Sequence, residues 1–405
     1  MEPYQKSLAV DNDYYASHSL IELLKKRFDT YGFNQIKTPI FETYDLYSSV
    51  QGTIQLDDMI KLISPEGKVL VLRPDVTIPI TQLIATQYTK QKMELRYSYV
   101  LDVYRSSFQS NDGYVKTQAG VELIGNPNVE ADMEVISLAI DCLLDLRFTN
   151  FKIEIGHAGV VKEILDILSL PKDEEDQFKQ LIISKNVTGL EEFLLKLDIE
   201  PAIKQSLLTI PLLYGKPEEI LDQAISLSLT KKMTNALIRL KEVYNMLALY
   251  GVGDYFVIDL GLISHMGYYS DIIFQGFIEN VGKPILFGGR YDNLAKQFAR
   301  PIPAIGFAYD VEALLSVKQY PPKLLEQIYI QYEQDYLAEA LKLTRKLRNL
   351  NYRTILSSSS EIDSNSFLVS ITASDNTVFY QGMNYPFIDQ DELPILLQSL
   401  KEGHS

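Results

Sequence analysis

Apolar and polar positions alternate along this chain in three different ways. Between residues 17 and 30, Leu20, Ile21, Leu23, Leu24 and Phe28 recur at helical spacing, Ser17 or Ser19 is placed to cap the helix, and Gly32 follows its end. Phe33–Phe41 then reads as a strand, which Pro39 assigns to an edge or a bulge. Val69–Arg73 reads as another strand, followed by a helical pattern over 78–86. Segments 95–105 and 114–124 alternate as an antiparallel pair joined by the polar loop Ser106–Gly113. Residues 130–147 predict a long helix, Phe151–Ile155 returns to strand alternation, and Gly156 is placed to open the next helix.

From 160 to 248 the pattern is almost wholly helical, with breaks near Pro171, Pro201, Pro211 and Pro217. Strands resume at Tyr255–Leu260, Tyr269–Glu279 and Pro284–Phe287, with Asn280-Val281-Gly282 as a turn between the last two. The pair Gly288-Gly289 then leads through Arg290-Tyr291-Asp292 to a further helix. Beyond Tyr320-Pro321-Pro322, strands at 328–331, 352–356 and 367–370 surround a helix at 335–349. The expected class is α+β, an antiparallel sheet flanked by helices. The core spans 1–320 with a helical insertion at 160–248, and a small α/β module occupies 321–405.

Composition narrows the function. A chain of 405 residues with 46% apolar and 22% charged residues can bury a large core. Its net charge of −15 speaks against broad electrostatic capture of nucleic acid, and the last 85 residues hold 7 Lys and Arg against 11 Asp and Glu. No run of about 18 apolar residues suggests a membrane span, and Met1–Lys6 has no apolar signal core, so a cytoplasmic protein is expected. Cys142, the one cysteine, sits in an apolar helical pattern and reads as a buried inert thiol. The histidines at 18, 157, 265 and 404 have no zinc-ligand spacing, and neither metal nor cofactor is expected.

A series of motifs runs along the core. Tyr31–Glu42 resembles the first signature of class II aminoacyl-tRNA synthetases, which usually forms a dimer interface around its proline. Leu72-Arg73-Pro74-Asp75-Val76-Thr77 resembles a motif of the histidyl enzymes. Tyr104-Arg105 with Gln118-Ala119-Gly120-Val121-Glu122 resembles the second signature and its return strand. Gly267-Tyr268-Tyr269 and Gly288–Asp292 resemble the two histidine-specific motifs, and Pro303–Leu315 resembles the third signature. Matches in this number and order make coincidence a poor explanation.

The resemblance implies a pocket for histidine. That ligand presents an ammonium, a carboxylate and an imidazole with two distinct nitrogens. By the family pattern, Asp75 and Thr77 would hold the ammonium with help from Gln118, Glu122 would accept from the imidazole, and Tyr269 and Tyr291 would bind or wall the ring beside Tyr268. Arg105 is retained in the same site. Each has a structural alternative. A Tyr-Tyr pair in a strand points to opposite faces, Glu122 can pair with a nearby arginine, and Arg105 can belong to a structural ion pair.

The adenylating apparatus does not match. Where the histidyl family has an arginine after the glutamate of the third signature, this chain has Ala313 after Glu312. Ser264 stands where the first histidine-specific motif carries another arginine, and loop 106–113 holds no Arg or Lys. His265 alone does not replace two guanidiniums. Loss of one preorganised charge typically slows such chemistry about 10²–10³-fold. A kept amino-acid pocket beside a lost nucleotide site resembles the regulatory subunits of ATP phosphoribosyltransferase. That family implies a non-catalytic chain, associated with the short-form catalytic subunit at the first step of histidine biosynthesis and conferring feedback inhibition by L-histidine. It also implies a homodimeric core within a hetero-oligomer. Two alternatives stay open from the residues: a divergent histidyl-tRNA synthetase, and a synthetase-like regulator that binds tRNA or another partner.

Overall fold

A computed structural model gives the structure of residues 11–50, 54–87, 94–108, 114–264, 266–279, 281–298, 300–317, 327–356, 366–372, 376–389 and 391–402. His265, His404, Asn280 of the expected turn, residues 109–113 of the polar loop, the segment Met1–Lys6 and the Tyr320-Pro321-Pro322 boundary lie outside the described residues. The chain divides into two compact units, Met1–Tyr320 and Pro321–Ser405.

In the first unit the strands are β1 (Asn34–Gln35), β2 (Phe41–Thr43), β3 (Lys61–Ile63), β4 (Val69–Leu72), β5 (Leu95–Tyr104), β6 (Val115–Ile124), β7 (Phe151–His157), β8 (Tyr214–Gly215), β9 (Phe256–Asp259), β10 (Ile272–Ile278), β11 (Leu286–Arg290) and β12 (Ala304–Asp310). The helices are α1 (Asp11–Thr30), α2 (Tyr44–Ser48), α3 (Thr77–Gln87), α4 (Val129–Asp145), α5 (Ala158–Leu168), α6 (Lys172–Ile183), α7 (Val187–Leu195), α8 (Pro201–Thr209), α9 (Pro217–Ser226), α10 (Lys231–Tyr250) and α11 (Val311–Val317). Nine strands form one sheet in the order β1-β5-β6-β12-β11-β10-β7-β9-β8. Its pairs are antiparallel except β1 with β5 and β7 with β9. A separate small sheet has the order β2-β4-β3.

The two-residue period of the central strands separates two faces. Ala119, Val121 and Leu123 of β6 and Ile305, Phe307 and Tyr309 of β12 enter one apolar core with Leu24 and Phe28 of α1 and Val135, Ile136 and Ala139 of α4. The alternate residues Gln118, Gly120 and Glu122 share register with Asp310, Ala308 and Gly306 on the other face. That face carries the cavity described below.

Five local expectations need correction. The helix expected from residue 17 begins at Asp11, so Ser17 and Ser19 are interior to α1 and do not cap it. The strand expected over Phe33–Phe41 is two short strands in different sheets. Pro39 has no N–H for a ladder, and the Arg73 guanidinium instead donates to the carbonyls of Thr38 (2.8 Å) and Pro39 (3.0 Å). Gly156 belongs to β7, and its helix starts two residues later. Gly288 and Gly289 lie within β11, and the element after Arg290-Tyr291-Asp292 is a short 3₁₀ turn at Ala295–Phe298 and not the expected helix. Tyr268 and Tyr269 precede β10 and so do not alternate faces.

Among its described residues the second unit has a five-stranded sheet and two helices, α12 (Leu337–Asn349) and α13 (Leu393–Glu402). Its strands are β13 (Gln327–Tyr332), β14 (Arg353–Leu356), β15 (Phe367–Ile371), β16 (Asn376–Tyr380) and β17 (Met383–Phe387), in the order β14-β13-β15-β16-β17. Ile330, Leu343, Leu347, Val369 and Leu397 fill its core. The apolar pattern predicts its first three strands and α12 but not β16, β17 or α13.

Candidate functional site

The site grows from β6. Glu122 is 1% exposed, and a carboxyl this deep must be hydrogen-bonded or neutral. It has both properties. The Thr77 hydroxyl donates to one carboxyl oxygen at 2.6 Å, and the Tyr291 hydroxyl donates to the other. Burial lifts its pKa from the usual 4.5 to about 8, against the pull of those two hydroxyls and with a further push from the charge of Asp75.

Thr77 and Asp75 are placed by the start of α3. Asp75, also buried, accepts from the backbone N–H of Ile78 at 2.8 Å, and burial raises its pKa as well. The residues around it are braced by two arginines. Arg73 donates to the Asp102 carbonyl as well as to Thr38 and Pro39, and Arg105 donates through Nε to the Pro74 carbonyl at 2.9 Å. Arg73 is therefore a structural member of its motif.

Arg290 has the same role in the second histidine-specific motif. It is wholly buried, donating to Asp132 at 2.7 Å, to the Asn126 carbonyl at 3.0 Å and to Asp292 at 3.2 Å. That clamp presents the neighbouring Tyr291 to the cavity. Tyr291 meets Tyr268 edge-on at 5.7 Å between ring centres, and Tyr268 lies 4.9 Å from Tyr269.

Glycines make room for these side chains. A Cβ on Gly306 would overlap the Glu122 carboxylate and the Val121 carbonyl, and one on Gly289 would come within 2.7 Å of the Tyr269 ring. Gly289 is thus a requirement for space under the aromatic wall, while Gly288 leaves room for Phe274 and Phe307. Gly306→Ala is expected to displace Glu122, abolish ligand binding at the site and lower the melting temperature by several degrees. A variant that melts and binds as the parent does would show that the floor tolerates a methyl group.

Together these elements enclose a cavity of about 310 Å³. All eight residues singled out from the sequence line it: Asp75, Thr77, Arg105, Gln118, Glu122, Tyr268, Tyr269 and Tyr291. Tyr99, Lys116, Gln275 and Asp310 also line it and were missed. A signal for Lys116 existed, since residues 116, 118, 120 and 122 fall on one face of a strand.

The end of the cavity nearest Lys116 has different chemistry. Lys116 pairs with Asp310 at 2.6 Å, and the Glu312 carboxylate accepts from the Thr117 backbone N–H at 3.0–3.1 Å. Ala313 does not line the cavity. It is 1% exposed and packs in the apolar core with Val311 and Leu314. Ser264 does line it, with its hydroxyl accepting from the Met266 N–H at 3.1 Å. Among the described residues no group of three His, Cys, Asp or Glu is placed to hold a metal ion, and no helix is long and apolar enough to cross a membrane.

The cavity therefore offers two buried carboxyls, an aromatic wall and an amide to a small polar cation-bearing ligand. Its sheet and site define a class II synthetase-like core. The family model for histidyl-tRNA synthetase matches residues 11–314. An ATP phosphoribosyltransferase regulatory subunit from Oceanobacillus iheyensis is 42% identical, covering 90% of this chain and 91% of its own length. One from Clostridium kluyveri is 35% identical, covering 80% and 85%. A solved structure from Bacillus halodurans, described as an ATP phosphoribosyltransferase regulatory subunit/histidyl-tRNA synthetase, superposes with a TM-score of 0.81 at 28% identity, over 92% of this chain and 98% of that one. Histidyl-tRNA synthetase from Nostoc sp. PCC 7120 shares the fold at a TM-score of 0.81, 17% identity and 98% coverage of each chain. The chain belongs to the ATP phosphoribosyltransferase regulatory subunits, a family built on the histidyl-tRNA synthetase fold.

Proposed function

We propose that this chain associates with the short-form catalytic subunit of ATP phosphoribosyltransferase in the cytoplasm, is required for its activity, and makes it sensitive to L-histidine bound in the cavity. The observation that carries the proposal is the pairing of Glu122 and the tyrosine wall with a nucleotide end in which Ala313 lies in the core and Ser264 lines the cavity where the resemblance implies an arginine. Such a site binds an amino acid without activating it. Histidine that binds one state of the assembly more tightly than another shifts the balance between them. In this reading residues 1–320 are the synthetase-like core, 160–248 an insertion within it and 321–405 a separate module.

The test is to co-purify the full chain with the catalytic subunit and assay phosphoribosyl transfer with and without histidine. Activity that depends on this chain and falls with histidine is expected. No association, or activity indifferent to both, would overturn the proposal.

The same reading includes a homodimer. Phe41, Thr43, Leu62, Leu70 and Leu72 share one face of the small sheet by register, and Phe41 is 55% exposed. A second copy of this face is the natural cover for it. Leu70→Glu is expected to yield a monomer in sedimentation, where the parent sediments as a dimer or larger. A parent that is already monomeric would contradict the dimer.

A further inference from the structure

The aromatic wall of the cavity rests on a segment with little regular structure. The described residues between 260 and 271 join β9 to β10 and supply Leu262, Ile263, Ser264, Met266, Tyr268 and Tyr269 to the cavity. A segment without ladder hydrogen bonds takes its position from its anchors. One anchor is the core, where Ser270 accepts from the Asp292 N–H and its backbone N–H donates to the Arg290 carbonyl. Others come from the helical segment and from the end of β7.

At the start of the wall, Lys185 in the turn between α6 and α7 pairs with Asp259 at 2.5 Å. Asp259 also accepts from the Gly261 N–H at 2.9 Å. The Leu260 N–H donates to the Leu213 carbonyl at 3.2 Å. Gly261 lies so close that a Cβ there would overlap the Pro211 carbonyl and approach the Ile182 side chain to 2.9 Å. At the far end, Arg239 of α10 bridges two carboxylates. It holds Asp271 at 3.0 Å, two residues beyond Tyr269, and Asp132, which in turn binds the Arg290 that precedes Tyr291. The His157 ring adds Nε2 against Asp271 at 2.9 Å.

We infer that Lys185 and Arg239, both from the helical segment, are positioning residues for the ligand cavity: they clamp the two ends of the segment that carries Tyr268 and Tyr269. Neither residue lines the cavity, so each acts through the wall and not on the ligand. The cavity's role as a histidine site rests on the function proposed above; the clamp itself is a property of the chain. It makes the helical segment part of the sensor: a partner that shifts α6, α7 or α10 changes histidine affinity, and histidine changes the affinity for that partner by the same factor.

The test uses the full chain with three changes: Arg239→Met, the pair Lys185→Met/Asp259→Asn, which removes the link without stranding a buried carboxylate, and Lys172→Met as a control. Lys172 makes its ion pairs with Glu175 and Asp176 within the exposed first turns of α6. Two quantities are read, amide hydrogen exchange of residues 260–271 without ligand and histidine affinity by calorimetry. Both clamp variants are expected to speed exchange of the wall tenfold or more and to weaken histidine at least tenfold, with Arg239→Lys recovering part of each effect and Lys172→Met neither. Unchanged exchange and affinity in folded clamp variants would overturn the inference. Faster exchange in a protein whose parent form binds no histidine would support the clamp while removing histidine as the ligand. Should Arg239→Met not fold, the paired variant decides alone.

Discussion

Replacing Glu122 with glutamine is expected to stabilise the ligand-free protein and to abolish its response to histidine. The sign comes from the raised pKa. In the unfolded chain this carboxyl loses its proton near 4.5, whereas in the fold it keeps it to about 8. Between those values the folded state binds the extra proton, so stability is fully present below 4.5 and is lost as the pH rises to 8. The slope is ~1.4 kcal/mol per pH unit, and the whole effect is on the order of several kcal/mol. Glutamine imitates the neutral carboxyl and has no proton to lose. Urea titrations from pH 5 to pH 9 should therefore show the variant gaining on the parent up to pH 8 and running parallel above it. Curves that are parallel throughout would mean that Glu122 is ionised in the fold at neutral pH. The histidine response is lost because glutamine sets an NH2 donor and a single uncharged acceptor where the ligand's imidazole N–H requires a carboxylate.

Restoring the missing arginines is expected to unfold the protein before it restores any adenylation. Ala313 lies in the apolar core with Val311 and Leu314, so an arginine there must bury a guanidinium or force its side chain out past the Lys116–Asp310 pair. A buried charge without partners costs about 3 kcal/mol or more, which is a large share of the stability of an ordinary domain. Ala313→Arg should lower the melting temperature sharply, and Ala313→Arg with Ser264→Arg should give no histidine-dependent ATP–pyrophosphate exchange. A stable double variant that catalyses exchange would show that the nucleotide end is intact and lacks only its cations.

Much of this fold can be read from period-two alternation. The pair β5 and β6 and the strand β7 stand where the apolar pattern puts them, because one face of each is buried under helices and a shifted register would expose it. The misreadings occur where a tertiary contact outweighs the local pattern. Nothing around Phe33–Phe41 announces that Arg73 takes up the carbonyls of Thr38 and Pro39, and this capture divides the run between two sheets. Gly288-Gly289 carries the same local signal whether it forms a turn or leaves room under a ring, and only the position of Tyr269 distinguishes the two.

The eight candidate residues stand out because they sit in motifs, and the structure brings all of them to one cavity. Motifs do not separate the residues that face a ligand from those that hold them. Arg73 and Arg290 belong to the same motifs as Asp75 and Tyr291, yet both are spent on backbone carbonyls and buried carboxylates. Tyr99 was missed because its place depends on pairing with Gly120, and Gln275 because it is held by Glu154 from a neighbouring strand. These are cross-strand relations that a single sequence does not display.

The cavity as a histidine site is the central claim, and titration of L-histidine into the isolated full chain by calorimetry tests it most directly. The account predicts one histidine per chain, proton release at pH 7 as Glu122 ionises, affinity that strengthens from pH 6 to pH 8, and no binding to Glu122→Gln. Absence of binding to the parent chain, or equal binding to the glutamine variant, would contradict it.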